Sequence, residues 1–235
     1  MDLTELIARR ARKEPLPLPI PDQELRDRYD KVYSAAVNDV LREMGYLYQT
    51  LPTHICALRD GMRLCGFAFT VKGSKNLTIE NEMEQRAEML EAFSEASICV
   101  WDTSNDDESA QWGEVMTMAS QRRGCVGAVI DGGIRDVDRL VHLDFPIFYK
   151  YRTSSGMLGR FRIIGYQIPV MIGTVMIEPG DIILGDMDGV IVVPRALAYD
   201  VLLKAEKIVE NEREIKQMII DGLSPSKVVE NGGYF

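Results

Sequence analysis

The stretch between residues 77 and 134 most constrains what this chain can fold into. Two short apolar runs, SICVWD (Ser97–Asp102) and CVGAVID (125–131), each follow a segment of helical periodicity, 77–96 and 110–123. The runs are too short for helices and end in polar or glycine-rich residues. They predict strands buried in a sheet, with helices packed against it.

The flanking chain fills in the architecture. The pattern over 22–45 predicts one helix, with Leu25, Tyr29, Val32, Tyr33, Ala36, Val40 and Leu41 on one side and Gly45 as its C-cap. RLCGFAFTVK (63–72) alternates like a strand, and short strands are expected near 146–149 and 168–177. After the Pro179-Gly180-Asp181 turn come strands at 182–184 and 190–193, then a helix over 196–221. Helix–strand alternation followed by consecutive short strands predicts an α/β fold, an α-β-β-α sandwich rather than a plain doubly wound sheet. Pro15, Pro17, Pro19 and Pro21 predict an extended arm behind a short basic N-terminal helix, packed across the surface or onto a neighbour. The domain organisation expected is an arm over 1–21 and one domain over 22–235.

Composition narrows the function. With 27 Lys+Arg against 36 Asp+Glu the net charge is −9, so no basic face for nucleic acid is expected. His54 and His142, the two histidines, cannot build a three-histidine zinc site. The four cysteines show no CxxC spacing, and three lie in apolar or strand-like runs, as buried thiols do. No GxGxxG or GxxxxGK[ST] follows a strand, which removes the usual nucleotide fingerprints. The N-terminus lacks an apolar signal region and no run approaches 18 apolar residues, so the expectation is a cytoplasmic chain without a membrane partner.

The chemistry concentrates in WGEVMTMASQRRGCVGAVIDGGIRDVDRL (112–140). A buried strand ends at Asp131, Gly132 and Gly133 allow a tight turn and close approach of an anion, and Arg135-Asp136 appear at the strand's carboxyl end, where α/β folds bind ligands. Arg135 can grip a carboxylate through two parallel hydrogen bonds, and Asp136 can hold a hard cation. The alternative is a surface pair in which Asp136 or Asp138 caps the next helix. Glu114 lies one helix, one turn and one strand earlier, on the same side of the sheet, so Glu114 and Asp136 can converge. Two carboxylates and water would suit Mg²⁺; the alternative for Glu114 is a solvated helical side chain.

These residues resemble the RraA-like family, which contains the regulator of ribonuclease E activity and class II pyruvate aldolases acting on 4-hydroxy-4-methyl-2-oxoglutarate and 4-carboxy-4-hydroxy-2-oxoadipate. The aldolase signature is an acidic residue, 20 residues, then Arg-Asp, matched by Glu114, Arg135 and Asp136 with Glu in place of the commoner Asp. AAVNDVLREMG (35–45), GFAFTV (66–71) and IEPGDIILGDMDGVIVVP (177–194) match in order, and the resemblance covers roughly 29–221. Many members carry a demethylmenaquinone methyltransferase label, which this chain, lacking a GxGxG-type loop, does not support. The resemblance implies an α-β-β-α sandwich of the swivelling β/β/α type, assembled as homotrimers or hexamers with the site between subunits. It implies that Asp136 ligates Mg²⁺ (or Mn²⁺), that Arg135 binds the pyruvyl carboxylate and that Glu114 orients metal-bound water. It further implies that backbone amides beside Gly113, at Glu114, Val115 and Met116, assist the substrate, a small 2-oxo acid. The activity implied is retro-aldol cleavage to pyruvate, oxaloacetate decarboxylation, or both. Regulators of ribonuclease E lack the Arg-Asp pair, which separates them from this chain; the rival reading is such a regulator, docking to a ribonuclease or helicase.

Three further features carry expectations. Val201, Ala205, Ile208, Ile215 and Ile219 form a helical seam whose missing member is Glu212. Either the stripe drifts and Glu212 is at its wet edge, or, as the family's trimers imply, Glu212 (with Glu210 as alternative) reaches a neighbouring subunit's site. GDMDGV (185–190) reads as a hairpin turn rather than a second metal site. The acidic loop Asn105–Glu108 reads as solvated surface, with a substrate-gating loop as the alternative.

Overall fold

The computed structural model describes residues 1–11 and 15–235; positions 12–14 of the expected arm lie outside the described residues. Helix α1 (Thr4–Arg10) buries no side chain. Residues 15–21 are irregular, with Leu18 and Ile20 against the body of the protein and the Leu16 carbonyl accepting from Arg195 Nε.

The single helix expected over 22–45 is two, α2 (Asp22–Tyr29) and α3 (Ser34–Glu43). The break is stabilised at the start of α3, where the Asp186 carboxylate accepts both the backbone N–H and the hydroxyl of Ser34 at 2.7 Å. A carboxylate there complements the positive end of the helix. Helix α3 ends as expected: Gly45 is left-handed at φ +87°, and the Tyr46 N–H returns to the Leu41 carbonyl at 2.8 Å.

Strands β1 (Cys56–Ala57) and β2 (Leu64–Lys75) precede α4 (Glu82–Glu91), the middle part of the helix expected over 77–96. Strand β3 (Ser97–Asp102) has the expected bounds. The helix expected over 110–123 begins as a strand, β4 (Ala110–Trp112), and becomes α5 (Glu114–Gln121) only after Gly113. Strand β5 (Cys125–Ile134) runs straight through Gly132 and Gly133, where a turn was expected. Their role is close approach: a Cβ on Gly132 would lie 2.4 Å from Gln111 Oε1, and one on Gly133 2.5 Å from the Ser109 carbonyl oxygen. The rest comprises α6 (Val137–Leu140), β6 (Ile147–Arg152), β7 (Phe161–Tyr166), the hairpin β8 (Val170–Ile172)–β9 (Val175–Ile177), β10 (Ile182–Asp186), β11 (Gly189–Val193), α7 (Ala198–Ile220) and α8 (Pro225–Glu230).

The main sheet runs β1-β6-β5-β3-β2-β10-β11, with β4 beside β5 and β7 beside β2. Its centre is parallel (β2–β3, β3–β5, β5–β6) and its flanks antiparallel. Thr50 bridges Ile191 on β11 while Cys56 pairs with Tyr149 on β6, so one short segment spans the two edges and nearly closes the sheet. The fold is thus mixed α/β with opposed walls of one curled sheet, where the sandwich reading expected separate β layers. Inside lie Ala68, Val100, Val129, Phe148 and Val192, capped by Val170 and Ile177 of the small hairpin. Outside, Met89, Trp112 and Leu140 cover one wall, and α2, α3 and α7 cover the other through Leu25, Val37 and Val201. Each such fully buried Leu, Val or Phe contributes about 1.5–3 kcal/mol.

Candidate active site

The parallel strands deliver their carboxyl ends to one place. Arg135 and Asp136 follow β5 directly, and the Arg135 N–H bonds the Trp112 carbonyl at 3.0 Å, tying them to the end of β4. Asp136 is left-handed at φ +61°, unusual for a non-glycine residue and of a kind that clusters at functional sites. It occupies the cap position of α6, yet its carboxylate makes no capping bond there. Instead Asp136 Oδ2 accepts the Glu114 N–H at 3.2 Å, so this carboxylate faces the first turn of α5. That turn's amides, Glu114, Val115 and Met116, have no acceptor inside the helix and carry its positive end. Arg135 Nε lies 3.7 Å from the same Oδ2.

Two glycines make the approach possible. A Cβ on Gly113 would come within 2.6 Å of Asp136 Oδ2, and one on Gly156 within 2.7 Å of Arg135 Nη1. Gly113 is extended (φ −164°), so it is required for space and not for strain. Beside them a cleft of about 470 Å³ is lined by Arg135, Asp136, Asp138, Arg152, Thr153 and Ser154, among others.

One buried carboxylate ties together β4, β5 and β6 through Gln111, Gly133 and Tyr151. Asp106 Oδ2 accepts from the Ser109 N–H and hydroxyl, from Gln111 Nε2 at 2.7 Å and from Tyr151 Oη at 3.2 Å. Gln111 Oε1 in turn accepts the Gly133 N–H at 2.9 Å. Burial would raise the Asp106 carboxyl, but these donors outweigh it and hold it below the usual carboxylate range. The acidic loop is therefore divided: Asp107 and Glu108 are exposed and pair with Lys75, while Asp106 is buried. The amide of Gly133 is taken by Gln111, so the glycine pair offers no anion nest there.

The structure brings Gly113, Glu114, Arg135 and Asp136 together. The Glu114 side chain is held by Arg139 at 3.1 Å. Val115 is 76% exposed, whereas Met116 packs on the core and presents only its backbone to the site. Glu212 lies elsewhere, on the α3–α7 side, where it accepts hydrogen bonds from Tyr33 Oη and from Lys216 Nζ at 3.0 Å. Arg139, Arg152 and Gly156 escaped the sequence reading. Arg152 alone had a usable signal, at the end of a strand beside β5.

The oxygen donors fit a water-rich divalent ion. Among the described residues no three or more of His, Cys, Asp and Glu are placed to share a metal. Mg²⁺ keeps several waters and binds through one or two carboxylates. Asp136, with Oδ2 on an amide and, among the described residues, no donor to Oδ1, has the chemistry such an ion would need. GDMDGV, by contrast, is a hairpin turn pairing Asp186 with Gly189, and its Asp186 carboxylate is occupied by Ser34 and the Asp188 N–H.

Comparison with known proteins gives the family. The family model for RraA-like proteins (Aldolase/RraA) matches residues 34–192, and the chain belongs to that family. It is 34% identical over 138 residues to a Halalkalibacterium halodurans protein provisionally named 4-hydroxy-4-methyl-2-oxoglutarate aldolase, covering 57% of this chain and 65% of that one. It is 27% identical over 201 residues to protein DlpA of Legionella pneumophila, covering 86% of this chain but 32% of DlpA. Among solved structures, one described as a novel cellulase from microbes of the gut ecosystem is 50% identical with a TM-score of 0.86, covering 91% of this chain and 96% of that one. Streptomyces coelicolor RraAS2, described as an unusual member of the RNase ES inhibitor RraA family, is 27% identical with a TM-score of 0.75, covering 86% and 100%. No helix among the described residues is long and apolar enough to cross a membrane.

Proposed function

We propose that this protein is a divalent-metal-dependent lyase that releases pyruvate from a 4-hydroxy-2-oxo acid, or from oxaloacetate by decarboxylation. The observation that carries the reading is the Asp136 carboxylate, turned away from the helix it begins and onto the first amide of α5, with Arg135 beside it. Asp136 would hold Mg²⁺ or Mn²⁺ through one carboxylate oxygen, with water completing the shell. Such an ion supplies Lewis-acid stabilisation of negative charge on the 2-oxo oxygen as the C3–C4 bond breaks.

The chain's own groups do the rest. Arg135 takes the 2-oxo acid's carboxylate with its planar fork. The amides of Val115 and Met116 add donors where charge develops, without reorganising during reaction. Glu114, held by Arg139, accepts the substrate's hydroxyl proton through a water and returns one to the product. The guanidinium groups and helix end are anion-binding elements, which a neutral glycoside would not need, so the reading departs from the cellulase description of the 50% identical relative. The naming of relatives as 4-hydroxy-4-methyl-2-oxoglutarate aldolases supports it. Assembly as homotrimers or hexamers, with Glu212 reaching a neighbour's site, belongs to the same proposal.

The test is pyruvate release from oxaloacetate and from 4-hydroxy-2-oxoglutarate. Release that needs Mg²⁺ or Mn²⁺ and stops with EDTA is expected. No turnover of either, with or without metal, would leave the rival reading of a ribonuclease-binding regulator.

A further inference from the structure

The peptide between Gly113 and Glu114 is held from both sides. Its N–H is the one that donates to Asp136 Oδ2 at 3.2 Å. Its carbonyl oxygen, that of Gly113, accepts from the backbone N–H and from the hydroxyl of Thr117, each at 3.0 Å. Both lone pairs of that oxygen are used, so the peptide plane is fixed at its two ends.

A helical threonine hydroxyl commonly bonds back to the carbonyl four residues earlier, one choice among several. Here the direction is forced. The Trp112 indole Nε1–H donates to Thr117 Oγ1 at 2.8 Å, and an indole nitrogen only donates. The hydroxyl hydrogen is therefore left for the Gly113 carbonyl. Thr117 is fully buried, which removes bulk water as a competing partner. The indole is itself locked: Trp112 is buried, and its ring stacks on Phe145 with centroids 6.3 Å apart. The Trp112 carbonyl meanwhile accepts the Arg135 N–H. Trp112 thus serves both halves of the site, its backbone holding Arg135 and its side chain holding the start of α5.

We infer that Thr117, aligned by the Trp112 indole, is a positioning residue: it sets the plane of the Gly113–Glu114 peptide, so that the amide fixes one oxygen of Asp136 and the other is presented to a cation. Each hydrogen bond in the chain from indole to hydroxyl to peptide to carboxylate polarises the next. The cation half of the inference rests on the reading of Asp136 above; the peptide half does not.

The experiment compares Thr117→Val, close in shape but without the hydroxyl, with Thr117→Ser, which keeps the hydroxyl and loses the methyl group. Hydrogen exchange of the Glu114 amide, read by NMR, and Mn²⁺ affinity, read by calorimetry, are measured on each folded protein. The Val129 amide in the middle of β5 serves as the reference for general loosening. Thr117→Val should speed exchange at Glu114 roughly tenfold relative to Val129 and weaken Mn²⁺ binding roughly fivefold. Thr117→Ser should restore both to within about threefold of the wild type. If Thr117→Val does not fold, Trp112→Phe removes the indole donor, keeps an aromatic ring and should move both readouts the same way. Exchange at Glu114 that rises no more than at Val129, or equal losses in Thr117→Val and Thr117→Ser, would overturn the positioning role. Selective exchange at Glu114 with Mn²⁺ affinity unchanged would overturn the link to the cation alone. A wild type that binds no Mn²⁺ would sink the metal reading, and exchange at Glu114 would then decide the role of Thr117 by itself.

Discussion

The backbone N–H of Glu114 donates to Asp136 Oδ2 at 3.2 Å, joining the start of α5 to the end of β5 across 22 residues of sequence. A helix N-terminus and a carboxylate are thereby brought to one edge of the cleft, with Gly113 as the gap between them. The relationship makes Gly113 a position where one added methyl group acts directly on the Asp136 carboxylate.

Gly113→Ala is expected to fold normally, because its extended backbone suits any residue. Its new methyl group would press on Asp136 Oδ2, which must move. Divalent-ion affinity and activity should fall at least tenfold, roughly 1.4 kcal/mol, while the melting temperature changes by a few degrees. Calorimetry with thermal melts checks this; unchanged affinity would show that the carboxylate tolerates displacement.

Arg135→Lys keeps the charge and loses the fork. Losing a bidentate charged contact should cost about 2–4 kcal/mol in kcat/KM, on the order of 10²-fold or more. Steady-state kinetics near those of the wild type would remove Arg135 from carboxylate recognition.

Much of this site was legible in the sequence, and the reasons differ by residue. Arg135 and Asp136 stand immediately after an apolar run, and strand ends are where α/β sheets place chemistry. Glu114 followed from counting one helix and one strand. The glycine pair was misread because Gly-Gly signals a turn locally, whereas here Gln111 and Ser109 approach from another strand and need the missing side chains. Strand β4 was hidden because three residues have no period of their own, and their strand state comes from pairing with β5. Asp106 read as surface because its four donors come from Ser109, Gln111 and Tyr151, and Tyr151 is remote in sequence. Likewise the division of the first long helix follows from Asp186, 152 residues away from Ser34.

Asp181 should make stability depend on pH. Burial pushes its carboxyl up to about 6, against the N–H groups of Glu178 and Arg195 that favour the charged form. A folded-state value raised above the unfolded one favours the protonated native state. Its stabilising contribution is complete below about pH 4 and lost as pH rises to about 6. Relative to Asp181→Asn, the wild type should lose about 3 kcal/mol across that window. Urea unfolding of both proteins at pH 4 and 7 measures the difference; a constant gap would show that burial does not control this carboxyl.

Glu212 is paired with Tyr33 and Lys216 within its own chain, so a part in catalysis requires a neighbouring subunit. The Tyr33 hydroxyl and then Lys216 hold its carboxyl below the usual range and keep it charged. Glu212→Gln should lower activity and leave assembly intact, and mixing it with Asp136→Asn subunits should restore some active sites. Mixed oligomers no more active than either parent would confine Glu212 to its partners Tyr33 and Lys216.

The most direct test of the account is titration of Mn²⁺ into the wild type and Asp136→Asn, followed by calorimetry. The substitution replaces the one charged ligand proposed for the ion with a neutral amide of the same shape. The account predicts a single site per chain in the wild type and at least a tenfold weaker one in Asp136→Asn, with the fold unchanged by circular dichroism. Equal affinity in the two proteins would contradict the assignment of Asp136 and the metal-dependent chemistry built on it.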